Sequence, residues 1–234
     1  MWSFLNLTKI DTSDIHFVTS SSTPYSAQFT SSNTASTNDN SSYTYFTTSA
    51  ANILFNGSGG PGLVVPYTDP QLFMQYPFSF NSAFTDNFGC SYIANGTPTV
   101  RTGSTTVTGD AWGTINLPIG SFANALRIKY IITTKDSSNP GTPVVTITTN
   151  TSYVWMVPGK KYPVFEIVYS TLTFNGILFA SLKTVNYNPR SAPIGIQQIS
   201  SEVPQDFSLG QNYPNPFNPS TKIKFQIPAG SISR

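Results

Sequence analysis

The sequence predicts an all-β protein whose body is an antiparallel β-sandwich or jelly-roll-like domain. Short stretches of alternating polar and apolar residues recur along the chain, and Gly, Pro, Asn and Asp separate them. Patterns with a helical period are nearly absent, so the chain offers no crossover helices for a parallel sheet. Hydrophobic residues make up 38% of the 234 residues and aromatic residues 14%, which is enough to build a core.

Composition and charge exclude several classes of function. Charged residues make up only 9%, far below the roughly 25% of typical soluble domains. The net charge is +2 and the basic residues are scattered, which excludes a phosphate-binding face for nucleic acid. The single cysteine, Cys90, excludes an internal disulfide or a multi-thiolate zinc site, and we expect it to be buried. No apolar run has the length of a transmembrane helix.

The first region, residues 1–62, is rich in Ser, Thr and Asn. Within it, residues 19–52 predict loops with one or two short strands, because few apolar residues are available to offset the entropy of ordering. The sequence "NGSGGPG" at 56–62 predicts a turn.

The second region, residues 63–185, predicts the antiparallel β-sandwich domain. Its clearest strand is 124–134, where Leu126, Ile128, Tyr130 and Ile132 share one face. The predicted strands of this region are 63–67, 78–88, 99–109, 113–118, 124–134, 143–149, 152–158, 162–170 and 172–185. Residues 186–206 contain three prolines and no sustained alternation, so they predict a linker.

The last region, residues 207–234, begins with an unusual stretch. "QNYPNPFNP" at 211–219 has three prolines and three asparagines in nine residues, which fixes extended or turn conformations. The following "TKIKFQI" alternates and predicts the first strand of an antiparallel sheet.

This stretch resembles the opening of the C-terminal (type A) sorting domain of the type IX secretion system of Bacteroidetes-like bacteria. The residues that carry the resemblance are Leu209, Gln211, Asn212, Tyr213, Pro214, Asn215, Pro216, Phe217, Asn218, Pro219, Ser220, Thr221, Ile223, Phe225 and Pro228. The resemblance implies a small Ig-like β-sandwich tail that directs a folded cargo across the outer membrane. It also implies the type IX machinery as a partner and no catalytic residue in the tail.

Only the beginning of such a tail is present, and one strand cannot bury its own apolar face. We therefore expect the sequence to be a fragment that also lacks its leader, since "MWSFLNLTKI" does not have the pattern of a signal peptide. The body is similar to an uncharacterised β-rich region found upstream of such tails in secreted proteins. The similar features are "YPF" at 76–78, "DAWGTINLP" at 110–118 and the turn after Trp155.

Candidate catalytic groups are few. The single histidine, His16, lies in a predicted strand, and no nucleophile elbow accompanies it. We expect Glu166 to be a solvent-facing strand residue, and we expect Asp86 and Asp110 to lie in turns. Acidic residues are too sparse to predict a metal site. We therefore predict no catalytic residues, no metal and no cofactor.

Sugar binding is a second possibility, because sugar rings stack on exposed aromatic side chains. The candidates are Trp112, Tyr153, Trp155 and Tyr162, with Tyr92 as a further aromatic, and a surface polysaccharide would be the partner. Against this stands the general tendency of strand aromatics to lie in the core.

The sequence thus predicts a non-catalytic structural or adhesive β-sandwich protein, secreted by a Gram-negative bacterium or held at its outer-membrane surface. Two alternatives stay open. One is that the chain is a carbohydrate-binding module. The other is that it is an accessory region of a secreted hydrolase whose catalytic domain lies outside this sequence.

Overall fold

The fold comes from a computed structural model, and the structure describes residues 1–138, 143–189, 208–211 and 224–226. Within this part of the chain no helix has the length and hydropathy needed to cross a bilayer. The chain divides into two compact units, Met1–Pro193 and Ile194–Arg234.

The larger unit is a twelve-stranded sheet in which each strand from β2 to β12 pairs with the next one along the chain. Its strands are β1 (Trp2–Ser3), β2 (His16–Thr19), β3 (Thr34–Thr37), β4 (Tyr43–Thr48), β5 (Asn52–Gly60), β6 (Leu63–Gln75), β7 (Ala83–Ala94), β8 (Thr97–Leu117), β9 (Gly120–Ser138), β10 (Val144–Met156), β11 (Phe165–Phe174) and β12 (Ile177–Tyr187). All these pairs are antiparallel except that of β1, which lies parallel to β8. The predicted all-β antiparallel class is confirmed. The connections are those of a meander, whereas a jelly roll has Greek-key connections.

The sheet changes layer at β6. The ladder between β6 and β7 is a single residue pair, Asp69 with Gly89. Further along β6, Gln71 Nε2 donates a hydrogen bond to Thr105 Oγ1 of β8 at 2.7 Å, although β7 lies between these strands in the sheet order. This part of β6 therefore lies across the face of β8, which gives the two-layered packing of a sandwich.

Three clusters of buried side chains form the core. The first lies around the β8–β9 hairpin, β10 and β11, and the second joins β6 to β8, β9 and β10. The third lies among the N-terminal strands. Their buried members are Ile115, Leu117, Phe122, Ala125, Trp155, Val164 and Phe165; Met74, Val107, Ile128, Tyr130 and Val154; and Phe29, Ala35 and Tyr45. Full burial of each large apolar side chain stabilises the fold by about 1.5–3 kcal/mol.

The predicted turn over residues 56–62 is wrong for most of its length, because β5 continues to Gly60. The glycines there allow close packing of neighbouring side chains. A Cβ on Gly59 would lie 2.9 Å from Cβ of Tyr25, and one on Gly60 would lie 3.0 Å from Oγ of Ser42.

Several predicted strands also have different limits. The predicted strands 99–109 and 113–118 are both parts of β8, which continues through a bulge. The predicted strand 172–185 is divided by a turn at Asn175 and Gly176, whose φ values of 47° and 83° are those of a tight hairpin.

The smaller unit contains a short antiparallel pair, β13 (Ser208–Leu209) with β14 (Phe225–Gln226). The amide of Gly210 extends it by donating to the carbonyl oxygen of Lys224 at 2.6 Å. Strand β14 lies within the strand predicted at "TKIKFQI". The rest of that strand and residues 190–206 of the predicted linker lie outside the described residues.

Candidate functional site

Trp112 is the most exposed of the predicted sugar-binding aromatics, with 63% of its surface accessible. It follows a bulge between Gly109 and Ala111 in β8 and lies opposite Leu126 of β9. Leu126 in turn lies opposite Met156 of β10. Residues directly opposite each other share a sheet face, so Trp112 lies on the face of Leu126 and Met156.

Trp155 lies on the other face and is buried, with 2% of its surface accessible. It is opposite Arg127 in β9. The rings of Trp2 and Phe4 pack edge-on against it, with centroids at 5.7 and 5.8 Å. Trp155 therefore offers no ring face to a sugar, because the N-terminal segment covers it.

Tyr153 belongs to an aromatic cluster around Arg127. The guanidinium lies 5.2 Å from the ring centroid of Tyr153, 5.8 Å from that of Trp2 and 6.0 Å from that of Trp155. Its Nε and Nη2 donate to the two carboxylate oxygens of Asp110 at 2.8 and 3.0 Å. The prediction that Asp110 is a turn aspartate is wrong, since it lies at the bulge inside β8 and holds Arg127 in place.

Tyr162 lies between β10 and β11 and stacks on Phe17 of β2. The ring centroids are 5.3 Å apart with an interplanar angle of 19°, and 47% of Tyr162 is exposed. The four predicted aromatics thus do not form one binding platform. Trp112 lies on one face of the sheet, Tyr153 and Trp155 lie on the other, and Tyr162 packs on a different strand.

A second charged cluster surrounds Arg101 in β8. Its Nε and Nη2 each donate to a carboxylate oxygen of Asp136 at 2.7 Å, and its Nη1 donates to the hydroxyl of Tyr67 at 3.3 Å. The guanidinium also lies 5.3 Å from the ring centroid of Tyr92. Burial raises the pKa of Tyr67 and of Tyr92 against the opposing effect of Arg101, so both phenols stay neutral at physiological pH.

Cys90 lies directly opposite Arg101 and is buried, as predicted. Burial raises the pKa of its thiol to about 11, although Arg101 acts in the opposite direction. The thiolate is the reactive form of cysteine, so this thiol is chemically inert at neutral pH.

The candidate catalytic groups lie on three different strands, β2, β7 and β11. His16 begins β2, as predicted, and is exposed. Glu166 Oε2 accepts a hydrogen bond from Asn186 at 3.4 Å. Asp86 lies inside β7 and its Oδ2 accepts from the amide of Leu72 at 2.7 Å, so the prediction of a turn is wrong here too. Among the described residues, no group of three or more His, Cys, Asp or Glu side chains is placed to hold a metal ion.

The sequence did not predict the open groove of about 480 Å³ in the N-terminal layer. Its lining is mostly neutral hydroxyl, amide and glycine groups, from Ser13, Ile15, Ser36, Thr37, Asn38, Ser42, Tyr43, Thr44, Ser58, Gly59, Gly60, Pro61 and Leu63. Beside it, the amides of Ser42 and Ser41 donate to Asp39 and hold the pKa of that carboxyl well below its usual range. The alternation in "YTYFTT" at 43–48 was the available signal that this region forms strands.

Only part of the predicted sorting motif is described. Leu209 lies opposite Phe225, and the Leu209 side chain is 78% exposed, while Gln211 is also exposed. The remaining motif residues lie outside the described part of the chain: Asn212, Tyr213, Pro214, Asn215, Pro216, Phe217, Asn218, Pro219, Thr221 and Ile223.

No protein-family model, no curated protein and no solved structure matches this chain.

Proposed function

We propose that this chain is a non-catalytic structural or adhesive module, exported by a type IX secretion system and either released or held at the outer-membrane surface of a Gram-negative bacterium. The observation that carries the non-catalytic part of the proposal is that two arginines of the sheet are each paired with an aspartate. Arg101 with Asp136, and Arg127 with Asp110, each join β8 to β9 through two parallel hydrogen bonds. Such bidentate pairs fix strand position and leave little capacity for a substrate.

The aromatic residues around these pairs support the same conclusion. Trp2 and Tyr153 contact the guanidinium of Arg127, and Tyr67 and Tyr92 contact that of Arg101. Cation–ring contacts of this kind stabilise a sheet surface that carries few charges. The polar chemistry of the body therefore serves the architecture of the sheet.

The sequence of the C-terminal region supports export. Strands β13 and β14 precede and follow the proline- and asparagine-rich stretch in the sequence, and they pair through Ser208 with Gln226 and Leu209 with Phe225. We propose that Tyr213 and Phe217 in this stretch are needed for recognition by the secretion machinery.

Export can be tested in a bacterium that has a type IX system, with a cleavable leader added before Met1. We expect the chain to reach the cell surface or the medium, and Tyr213→Ala with Phe217→Ala to leave it in the periplasm. Protease accessibility on intact cells measures the exported fraction, and Tyr162→Ala is a matched control for loss of an aromatic side chain. Equal export of the double variant and the parent chain would contradict the proposal, as would retention of the parent chain in the periplasm.

The exposure of Trp112 favours a second candidate, a carbohydrate-binding module. Stacking on a sugar ring requires an accessible aromatic face, and Trp112 has one. Under this hypothesis Trp112→Ala abolishes retention of the purified chain on an insoluble polysaccharide, while its unfolding midpoint stays unchanged. Phe80→Ala, which also removes an exposed aromatic side chain, is the control. Unchanged retention of the Trp112 variant would refute sugar binding at this residue.

A further inference from the structure

Strand β12 forms one edge of the large sheet and is strongly apolar. It has eleven residues, of which the first ten are exposed, and among the described residues only β11 pairs with it. Its exposed fractions include 74% for Ile177, 61% for Leu178, 76% for Phe179 and 63% for Leu182. One side of the strand therefore presents free backbone donors and acceptors, and both faces of the strand present apolar side chains.

This edge lacks most of the features that prevent sheets from joining. Edge strands are usually short, rich in charges or interrupted by proline. β12 contains one charged residue, Lys183, and no proline. A single bulge leaves Phe179 without a partner on β11. The opposite edge, β2, has only four residues.

The exposed apolar area of β12 supplies most of the area that a specific interface needs. The four side chains of Ile177, Leu178, Phe179 and Leu182, with Val185, expose on the order of 600 Å², judged from the 150–250 Å² of a fully accessible aromatic side chain. A stable protein–protein interface buries roughly 800 Å² on each partner. Backbone groups of a paired edge would supply much of the difference.

We propose that β12 pairs with β12 of a second copy of this chain, in an antiparallel arrangement with two-fold symmetry. The pairing joins the two sheets into one and forms an isologous dimer, the most frequent kind of homo-oligomer. The free backbone groups of both edges are satisfied, and the apolar residues at the edge lose contact with water.

The sequence of β12 favours one register. Two-fold symmetry places a residue on the axis opposite its own copy, and centring on Leu182 pairs the whole strand from Ile177 to Tyr187. Lys183 then lies opposite Ser181 of the partner subunit, and Phe179 lies opposite Val185 of the partner subunit. Aromatic and β-branched pairs stabilise antiparallel sheets, whereas like charges directly opposite each other destabilise them. Centring on Lys183 would place two ammonium groups opposite each other and shorten the pairing.

Cysteine cross-linking of the full chain tests both the dimer and its register. Leu182→Cys places two thiols opposite each other across the axis, and Leu178→Cys places them about 26 Å apart along the strands. Under mild oxidation we expect a disulfide-linked dimer for Leu182→Cys only, with the native Cys90 buried in both. Equal cross-linking of the two variants, or none for Leu182→Cys, would overturn the proposed pairing.

Sedimentation equilibrium provides the second test. We expect the parent chain to dimerise reversibly and Leu182→Lys to raise the dissociation constant at least about thirtyfold, as for loss of a central hot-spot residue. Leu182→Glu should behave likewise, and a mixture of the Lys and Glu variants should recover dimers. Val100→Lys, at an exposed apolar residue of β8, is the control. A parent chain that stays monomeric, because its edge is free or is covered by its own residues 194–234, would refute the proposal, and so would a failure of the mixture to pair.

Discussion

The contact between Gly103 and Phe88 offers a sharp test of how β7 and β8 pack. The two residues lie directly opposite each other, and the ring of Phe88 lies over the glycine. A Cβ built on Gly103 would overlap three ring carbons of Phe88, the farthest of them at 2.8 Å. Phe88 is only 3% exposed and stacks on Tyr67, with centroids 5.5 Å apart, so the ring has little room to move.

Gly103→Ala should therefore destabilise the protein. Overpacking of a buried site costs about 1–3 kcal/mol, which for a domain of this size lowers the midpoint of thermal unfolding by roughly 2–12 °C. The displaced ring would also disturb Tyr67, whose hydroxyl accepts a hydrogen bond from Arg101. Urea unfolding followed by circular dichroism measures the loss, and Thr102→Ala, at the exposed neighbour, is the control.

A double-mutant cycle separates the clash from other effects of the substitution. Phe88→Leu gives the new Cβ more room, so Gly103→Ala should cost less in the Phe88→Leu background than in the parent chain. Strict additivity of the two changes, or an unfolding free energy for Gly103→Ala within about 0.5 kcal/mol of the parent, would show that the ring does not lie over Gly103.

Three further predictions concern buried or half-buried polar groups. Arg127→Met should lower the free energy of unfolding by about 1–3 kcal/mol because it leaves Asp110 without its partner. In urea titrations, Arg127→Lys should recover only part of the lost free energy, since an ammonium group cannot form two parallel hydrogen bonds with a carboxylate. Burial raises the pKa of the Cys90 thiol from 9.0 to about 11. The contribution of the neutral thiol to the free energy of unfolding is therefore complete below pH 9 and is lost as the pH rises through 11. A Cys90→Ala variant whose stability falls in the same way would refute this prediction. Tyr45→Phe should cost about 1–2 kcal/mol in thermal unfolding by removing the buried 2.6 Å hydrogen bond to Thr23. Thr23→Val in the same chain should add little more than the loss of the hydrogen bond that Thr23 Oγ1 donates to the carbonyl oxygen of Ser20.

Local patterns in the sequence were sufficient to predict much of the strand content. The alternation at 124–134 corresponds to the centre of β9, and the position of Cys90 between small residues agreed with its burial. The change of layer at β6 and the parallel pairing of β1 with β8 were not predictable in this way. Both depend on contacts between residues that are distant in sequence, whereas alternation reports only whether a stretch has one apolar face.

The four predicted sugar-binding aromatics do not share one surface, for a local reason that the sequence did not reveal. In a regular strand Trp112 would lie on the same face as Asp110. The register shift between Gly109 and Ala111 lets β8 gain one residue over β9, so that Ala111 lies opposite Arg127 and Trp112 lies opposite Leu126. A shift of one residue moves every following side chain to the other face. The bulge thereby separates Trp112 from Tyr153 and Trp155, while Asp110 stays within hydrogen-bonding distance of Arg127.

The position of β12 in the meander explains why its sequence is unusual for an edge. The run "ILFASLKTV" from 177 to 185 has apolar residues on both faces, which is typical of a strand covered on both sides. Because each strand pairs with the next, β12 has a neighbour on one side only within the described part of the chain, and its side chains are accessible. A sequence suited to the interior at the edge of a sheet indicates that a further strand completes the fold. In the proposed dimer, the same strand of a second copy fulfils this requirement for both chains.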